Sequence, residues 1–562
     1  MVYRLETPLA EWEQGAAAAM SPVRAYGGKT MRIVRLIYGS ERLQGRRRTG
    51  LWIVFGWALL VGLLLLRHVF WRDEVRALSL ALQGDTLVDM LRGVHGEGHP
   101  AVWYLLLRGV HTLLPTPAVL PLVSVAVALT AALLLAWRSP FGWFVVAALL
   151  LGRIGLYEYS VMARNYGISM LLMFLFAALY QKHRDRGIAL GLVLLVLANC
   201  NVHSAILAGA FALFWLLDIW LDRSANRSLA LRNFAINAPI VIVGVLLCAI
   251  TIYPPVNDAA RNLIPAGDSA RRLATALFLP ASSFWELAGN GLPMAVRLMS
   301  VWPSHYLFVS QVLMSAVLIG SAFGLSHRPA AMLATWSALF GFSIFFALVY
   351  PGFYRHQGLW LVFLVCMYWI VGRDEPADAA PAIQKLRGVG MACFTALLVL
   401  QIAIGLHKVL PIASGSEPES RSRELARLIR ENPELRDATI LSDPDYLVEP
   451  LAYYLPNRTY LLREQKFGNV VRFTRNARLA LFLQDVLDDA RRVRSMTKQP
   501  VVILLHEPLD PSGPVRAIHE GYNWQLWTSP EQVRTFMSST RHIARFDPVC
   551  CNDESYDVYV LE

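Results

Sequence analysis

Two adjacent carboxylates, Asp73 and Glu74, stand just after the first long apolar run of the chain, 51–70. An acid held beside hydrocarbon is costly, so an ionisable residue at a membrane edge is a functional candidate by default. A single carboxylate at the edge of a low-dielectric site is suited to take a proton from a hydroxyl. The alternative is an ordinary polar boundary that caps a span. The pair alone favours that alternative, whereas the pair followed by Glu97-Gly98-His99-Pro100 favours a catalytic site.

The composition restricts the class of protein. The chain has 562 residues, of which 55% are hydrophobic and only 17% charged, and its mean hydropathy is +0.42. A soluble protein has roughly a quarter of its residues charged. The chain is therefore predicted to be a mainly α polytopic membrane protein. The net charge of +11 is interpreted as topology-setting loop charge, because no nucleic-acid-binding motif accompanies it. Six scattered cysteines, including the adjacent Cys550 and Cys551, predict neither a disulfide framework nor a metal site.

Eleven apolar runs approach the ~20 residues that cross a bilayer. The segment 100–114 is harder to assign, because it is short and carries Arg108 and His111. Counting it as a span would place four basic loops outside, whereas an interfacial helix places all four inside, as the Lys/Arg bias favours. We therefore predict eleven spans and a long external loop over 71–117; the other option is that 100–114 begins a bent second span. The predicted spans are 51–70, 118–137, 141–159, 166–180, 187–203, 205–221, 234–253, 305–325, 331–350, 358–371 and 389–410.

Polar segments flank the spans. Residues 1–50 lack a cleavable signal and end in three arginines, which predicts a cytoplasmic location. The last span of the membrane domain, 51–410, then delivers residues 411–562 to the outside. Helical and strand patterns alternate there, which predicts a small α/β domain with a mainly parallel sheet. The patterns are helix 419–431, strand 438–441, helix 445–455, strand 459–462, helix 475–495 and strand 501–505; Asp445, Glu449 and Arg458 are interpreted as surface charges.

Two further polar clusters lie at predicted outer ends of spans. Arg164, in the segment between Glu158 and Tyr166, has a planar fork of donors that suits a phosphate or carboxylate. Its alternative role as a snorkelling membrane anchor has equal weight. Arg355 and His356 open the tenth span, where an arginine beside helix N-terminal amides makes an anion site. Phosphate binding is favoured there over an aromatic-belt anchor.

Two remaining polar stretches carry weaker signals. The external loop 254–304 is long enough to suggest a function, such as walling an acceptor site, although no residue within it stands out. His203 belongs to a polar run at the outer end of the fifth span, where a structural role is favoured over ligand binding. Neither stretch adds a committed site residue.

The three clusters together resemble the GT-C membrane glycosyltransferases, chiefly their protein O-mannosyltransferase and aminoarabinose-transferase branches. Those branches carry Asp-Glu after the first span and a His-Pro-Pro-Leu-Tyr-Tyr-like element soon afterwards. Here Ala101 replaces the second Pro and Trp103 replaces the Leu/Tyr position. The segment 160–166 resembles their Ser-Arg-x-Tyr element. No Asp follows Arg164, so Glu158 is the candidate for a second acid.

The resemblance implies an inverting transfer of a sugar from a polyprenyl-phosphate donor to an extracytoplasmic lipid A, glycan or protein acceptor. It implies that Asp73 is the catalytic base and Glu74 a neighbour that shapes the site. The branches do not require a bound metal, no cofactor is predicted with certainty, and the sequence leaves open whether a divalent cation binds. The implied donor- or substrate-binding residues are His99, Glu158, Arg164, Tyr166, Arg355 and His356.

The arginine- and alanine-rich composition is typical of a GC-rich bacterium, which predicts an inner-membrane protein with a periplasmic active face. Two other functions stay open. One is an O-antigen ligase or polymerase, against which the Asp-Glu pair argues. The other is a lipid-linked glycan transporter, for which the chain shows no internal repeat.

Overall fold

The computed structural model describes most of the chain. It covers residues 28–39, 43–222, 226–259, 267–372, 380–415, 418–521, 524–547 and 554–562. Cys550, Cys551 and most of the predicted cytoplasmic segment 1–50 therefore lie outside the described residues.

The first part of the chain is helical, and the helices are numbered α1 to α17 here. Short turns interrupt them, including a π-helix over Ile154–Glu158 and 3-10 helices over Pro280–Ser282 and Ala322–Leu325. The α-helices are Gly28–Tyr38, Leu43–Arg67, Arg72–Ala81, Leu87–Val94, Val102–Leu113, Val119–Arg138, Trp143–Leu151, Tyr166–His183, Ala189–Ala198, Val202–Leu221, Arg227–Ile252, Ser269–Phe278, Pro293–Val301, Pro303–Ser321, Pro329–Leu348, Tyr354–Val371 and Pro381–Ser414.

Seven helices among the described residues are long and apolar enough to cross a membrane. They are α2, α6, α10, α11, α14, α15 and α17. The other four predicted spans coincide with α7, α8, α9 and α16, which fall outside that group. The predicted interfacial segment 100–114 forms α5, a helix of 12 residues. The protein is a multi-pass membrane protein with a mainly α fold.

The core of the helical part is built around α16. Seventeen of its eighteen residues are buried, including Trp360 and Trp369. A helix that is apolar on all sides has no solvent- or lipid-facing stripe, so its stable position is inside a ring of other helices. Its first turn, Tyr354 to Gln357, is thereby fixed at one end of the bundle. That turn carries two of the predicted site residues.

Residues 418–562 form the predicted α/β unit, but its sheet is mixed, so the prediction of a mainly parallel sheet is wrong. In the six-stranded sheet, ordered β3-β2-β1-β5-β9-β8, β1 pairs in parallel with β2 and β5 and the remaining pairs are antiparallel. A second sheet has the order β4-β7-β6. The strands β1 to β9 are Thr439–Asp443, Thr459–Leu461, Lys466–Phe467, Ala480–Phe482, Val501–Leu505, Arg516–Gly521, Trp524–Thr528, Arg541–Phe546 and Tyr556–Leu561.

Three helical segments of this unit differ in part from their predicted bounds, and a fourth, Pro530–Ser539, was not predicted. The α-helices α18, α19 and α20 are Ser422–Glu431, Leu483–Thr497 and Pro530–Ser539, and Asp445–Tyr453 is a 3-10 helix. The helix predicted at 475–495 starts later because residues 480–482 pair with β7 instead. The sequence analysis stopped at residue 505 and so missed β6 to β9. One of these, β9, is buried along its whole length and supplies the antiparallel neighbour of β5.

Two of the three tail charges assigned to the surface are buried. Asp445 and Glu449 are 1% and 0% exposed, whereas Arg458 is exposed as expected. The Asp445 carboxylate accepts the backbone N–H groups of Leu462 and Arg463 at 2.8 and 3.0 Å. Burial raises the pKa of Asp445 to about 8. Asp445 therefore organises the unit internally, and neither acid faces solvent.

Candidate active site

A cavity of about 1080 Å³ opens where several helix ends meet. The C-terminal end of α17 and the N-terminal turns of α3, α8, α10 and α16 contribute to its wall. Of the eight predicted site residues, seven line it and Glu74 does not. The seven are Asp73, His99, Glu158, Arg164, Tyr166, Arg355 and His356.

Asp73 lies in the first turn of α3 and faces three guanidinium groups. Its Oδ2 is 2.5 Å from Nη1 of Arg164 and 3.7 Å from Nη2 of Arg355, and its Oδ1 is 4.0 Å from Nε of Arg72. Its side chain is 29% exposed, so it reaches the cavity. Burial alone would raise the pKa of Asp73, but the three arginine charges outweigh burial and hold the pKa well below its usual range. The group is a carboxylate at every physiological pH.

Glu74 follows Asp73 directly, yet it has a different role. Its side chain is fully buried, and its Oε1 accepts the backbone N–H of Ala163 at 2.6 Å. Its Oε2 lies 2.9 Å from Nε2 of His68 and accepts the N–H of Trp71, the N-cap residue of α3, at 3.3 Å. Consecutive helix residues point about 100° apart. Glu74 therefore ties α3 to the segment before α8 and does not touch the cavity.

His99 is placed by the loop between α4 and α5. Gly98 has φ +87°, a left-handed conformation that only glycine adopts without strain, and it turns His99 into the cavity. Nη2 of Arg164 lies 3.3 Å from Nε2 of His99. Burial, with the added charge of Arg164, lowers the pKa of His99 to about 3. The ring is therefore neutral and accepts a hydrogen bond from Arg164.

Arg355 and His356 lie in the first turn of α16. The backbone carbonyl of Arg355 accepts the Tyr159 hydroxyl at 2.7 Å, and Nδ1 of His356 accepts the Phe353 N–H at 3.0 Å. His356 also stacks on His203, with ring centroids 4.5 Å apart. These bonds fix the helix start, so the Arg355 guanidinium projects toward Asp73 from a rigid base.

Tyr166 opens α8 beside Arg164. Its ring stacks on Tyr159 at a centroid distance of 5.9 Å and meets the His356 ring edge-on at 5.4 Å. The Arg164 guanidinium carbon lies 6.0 Å from the Tyr166 ring centroid. The aromatic group thus connects the helix starts that carry the two arginines.

A second charged group lines the cavity away from Asp73. Arg153 pairs with Glu158 at 2.7 Å and lies 3.6 Å from Glu286. The π-helix brings Arg153 and Glu158 together, because its repeat places residues five apart on the same side. Burial raises the pKa of Glu286. Glu158 is therefore the partner of an arginine and stands apart from the ion pairs of Asp73.

Sequence analysis did not identify Arg153 as a site residue, because it lay inside a predicted span, 141–159. A charge inside an apolar run was the available signal. It also missed Lys408, near the end of α17, whose Nζ is 2.7 Å from Oε1 of Glu419. No spacing rule connects these two residues to residues 73–166.

The α/β unit holds α3 from the far side. Three side chains of the α/β unit form hydrogen bonds with the backbone before and within α3. The Phe70 N–H donates to the Tyr454 hydroxyl at 2.8 Å, and the Phe70 carbonyl accepts from the Ser422 hydroxyl at 3.2 Å. The Arg72 N–H donates to the Glu554 carboxylate at 2.8 Å. Arg76, one turn after Asp73, forms ion pairs with Glu97 and with Glu449 of the α/β unit. Asp73 is thus positioned by a distant part of the chain.

No group of three His, Cys, Asp or Glu side chains among the described residues is arranged to hold a metal ion. The Asp73 carboxylate and the His99 ring nitrogen both face Arg164, whose charge repels a cation. The described site is arranged for an anion.

Comparisons with known proteins give matches among solved structures. No family model and no curated protein matches the chain. ArnT from Cupriavidus metallidurans in the apo state is 12% identical, with a TM-score of 0.42, over 90% of this chain and 97% of that one. The same protein bound to undecaprenyl phosphate is 12% identical, with a TM-score of 0.39, over 84% and 96%.

Proposed function

We propose that this protein is an inverting GT-C-type glycosyltransferase that moves a sugar from a polyprenyl-phosphate donor to a hydroxyl of an extracytoplasmic acceptor. One observation carries the proposal. A cavity-lining carboxylate, Asp73, stands beside an excess of guanidinium charge supplied by three different elements. A base next to an anion site is the arrangement that such a transfer requires.

The chemistry follows from these two parts. Asp73 takes the proton of the acceptor hydroxyl while the hydroxyl oxygen attacks the anomeric carbon from the face opposite the phosphate. The new carbon–oxygen bond forms while the bond to the phosphate oxygen breaks, and the electron pair leaves with the polyprenyl phosphate. The configuration at the anomeric carbon is thereby inverted. A well-placed base of this kind contributes about 10²–10⁴ to the rate.

The arginines act on the leaving group. The donor phosphodiester carries one negative charge, and the departing phosphate gains a second as the bond breaks. Arg355 and Arg164 project into the cavity with Asp73 as their only acidic partner among the described residues. Their charge is greater than Asp73 alone can balance, so they stabilise the transition state more than the bound donor.

The direction of the helices supports an extracytoplasmic site. The cavity is lined from the N-terminal ends of α8, α10 and α16 and from the C-terminal end of α17. The opposite ends of α8 and α17 carry Lys182 with Arg184, and Lys385 with Arg387. The Lys/Arg bias assigns those basic ends to the cytoplasm. We accordingly assign 1–50 to the cytoplasm, 51–410 to the inner membrane and 411–562 to the periplasm.

The donor and acceptor can be identified from a deletion strain by mass spectrometry. We expect one polyprenyl phospho-sugar to accumulate and one envelope glycan, lipid A species or glycoprotein to lack that sugar. Purified protein should then transfer that sugar with inversion at the anomeric carbon, which NMR of the product reports.

The role of the site is tested by a matched pair of variants. Asp73→Asn should lose transfer by about 10²–10⁴-fold, the contribution of a general base. Asp268→Asn removes an exposed acid that also pairs with an arginine, Arg271, and should transfer normally. Normal transfer by Asp73→Asn, or a deletion strain with unchanged lipids and glycans, would refute the proposed function.

A further inference from the structure

The ion pairs of Asp73 are unbalanced in the resting protein. Arg164 and Arg355 bring two positive charges to a single carboxylate oxygen, and Arg72 approaches the other oxygen at 4.0 Å. For Arg164 and Arg355, that carboxylate is the only acidic partner within the described residues, and Nε of Arg355 has no hydrogen-bond partner there. Opposite charges at these distances are strongly coupled.

The same carboxylate oxygen faces both arginines. Oδ2 of Asp73 is 2.5 Å from Arg164 and 3.7 Å from Arg355, so the lone pairs that would accept a proton point at guanidinium groups. A carboxylate held in this way is a weak base, because accepting a proton would end both interactions. The resting geometry therefore opposes the role that the proposed chemistry gives to Asp73.

Among the described residues, no second carboxylate pairs with Arg164 or Arg355. Arg76 is already paired with Glu97 and Glu449, and His99 is neutral and accepts from Arg164. The phenols that face this end of the cavity, Tyr104, Tyr166 and Tyr350, stay uncharged at neutral pH. The imidazoles of His203 and His356 also line it, and Glu158, whose charge acts on Arg355, is already paired with Arg153.

Because the donor carries a phosphate, we propose that it competes with Asp73 for Arg355 and Arg164, so that Asp73 becomes an effective base only after the donor has bound. The inference rests on the proposed function and adds a switch within it. The incoming phosphate withdraws positive charge from Oδ2 and places a negative charge beside it. Both changes make the carboxylate a stronger proton acceptor at the moment when the electrophile is in place.

Arg355 is the arginine better arranged to move. It is farther from Oδ2, 17% exposed, and lies over the rings of Trp71 and Phe353 at 5.5 and 5.2 Å, contacts that tolerate rotation. Arg164 is 8% exposed and is oriented by His99. Donor binding is therefore expected to turn Arg355 from Oδ2 to the phosphate first.

A binding measurement tests the competition without catalysis. The probe is a polyprenyl phosphate methyl ester, a diester with one negative charge that does not titrate above pH 4. An anion that raises the pKa of a neighbouring carboxylate by about 1–3 must bind about tenfold to a thousandfold more tightly once that carboxylate is neutral. Asp73→Asn should therefore bind the diester at least tenfold more tightly than the wild type at pH 7.

Glu286→Gln provides the matched control, because Glu286 lines the same cavity and its arginine, Arg153, is not one that the probe is proposed to take. This variant should change the affinity by less than about threefold, the size of a screened long-range effect. Equal tightening in both variants, or no tightening in Asp73→Asn, overturns the competition. If neither the wild type nor Asp73→Asn binds the diester, the proposed donor class itself fails, which is a different result.

The pH dependence gives a second readout with a defined sign. Proton uptake by Asp73 relieves the competition, but the arginines hold its pKa well below the usual range in the free protein, so wild-type affinity for the diester should be constant above about pH 5 and rise only at lower pH. The limiting slope is about tenfold per pH unit, for one proton bound per ligand. Asp73→Asn should show no such rise. A parallel rise in the variant would assign the proton to another group and overturn the inference.

Discussion

Asp73 and Asp218, which lie at opposite ends of the helical bundle, each face at least two arginines. Asp73 faces Arg164 and Arg355 near the start of α8, and Asp218 faces Arg184 and Arg328 near its end. Helix α8 has 18 residues, about 27 Å at 1.5 Å per residue. Only the Asp73 cluster forms a candidate active site.

The Asp218 cluster is closed and balanced. Its carboxylate is 3% exposed and accepts the Tyr180 hydroxyl at 2.7 Å and Nε of Arg328 at 2.9 Å. Arg184 bridges Asp218 and Asp222, at 3.1 and 2.7 Å, so two acids face two arginines. The four residues bind the ends of α8, α10 and α15 to one another.

The Asp73 cluster is open and has excess positive charge. Its acid is 29% exposed, it faces three guanidiniums, and it borders a large cavity. The two clusters use the same residue types, so the types alone do not distinguish a structural ion pair from a site. Access to a ligand and the unbalanced charge distinguish them, because an unbalanced buried charge is unfavourable until a ligand compensates it.

The largest expected effects come from replacing each acid. Asp218→Asn should destabilise the fold by about 1–3 kcal/mol, because this buried carboxylate accepts from both Tyr180 and Arg328. Asp73→Asn should cost at most about 1 kcal/mol, since its carboxylate is 29% exposed to the cavity, while transfer falls by about 10²–10⁴-fold. Thermal unfolding in detergent and a transfer assay measure the two quantities. If Asp73→Asn proved to be the more unstable variant, the contrast between the clusters would be lost.

Replacing one arginine in each cluster sharpens the contrast. Arg355→Gln should raise the donor KM by about tenfold to a hundredfold, since a hydrogen bond between charged groups contributes about 1.5–3 kcal/mol. Arg328→Gln should leave the donor KM unchanged and lower the unfolding temperature. Steady-state kinetics on the folded fraction of each variant makes the measurement. An unchanged donor KM in Arg355→Gln would remove that residue from the phosphate site.

Sequence patterns identified the residues of the Asp73 cluster because they flank apolar runs. Asp73 follows the first run, Arg164 precedes the fourth, and Arg355 precedes the tenth; outer ends of spans converge on one membrane face. The pattern could not separate Asp73 from Glu74, because that choice depends on how α3 is rotated about its axis. In the fold, Glu74 is held in the interior by its contacts with the Ala163 N–H and the His68 ring, and Asp73 faces the cavity.

The features that could not be predicted from the sequence depend on a local break in a helix or on contacts between distant segments. The π-helix that joins Arg153 to Glu158 begins three residues after α7 ends, a break that hydropathy averaging hides. Glu449 appeared to be a surface charge because its partner, Arg76, is 373 residues away in the chain. A buried ion pair between two distant segments has no local periodicity to indicate it.

The dependence of Asp73 on that distant contact gives a third prediction. Glu449→Gln weakens the hold on Arg76 and should lower kcat by about threefold to tenfold with little change in donor KM, because α3 is misplaced and the arginines of the phosphate site are not. Glu449 also accepts the Val471 N–H at 2.8 Å, a bond that Gln retains. Glu434→Gln removes an exposed partner of Arg541 in the same unit and serves as the control. A normal kcat in Glu449→Gln would show that Asp73 does not depend on this contact.

The smallest effect is expected for His99→Gln. Its pKa is lowered to about 3, so the ring carries no charge between pH 5 and 8 and serves Arg164 only as a hydrogen-bond acceptor. His99→Gln keeps an acceptor and should retain transfer within about fivefold, with an unchanged pH profile. His99→Phe removes the acceptor, and a donor left unsatisfied in a buried site costs about 1–3 kcal/mol. We therefore expect His99→Phe to lose more transfer than His99→Gln, and an altered pH profile in His99→Gln would show that His99 titrates during the reaction.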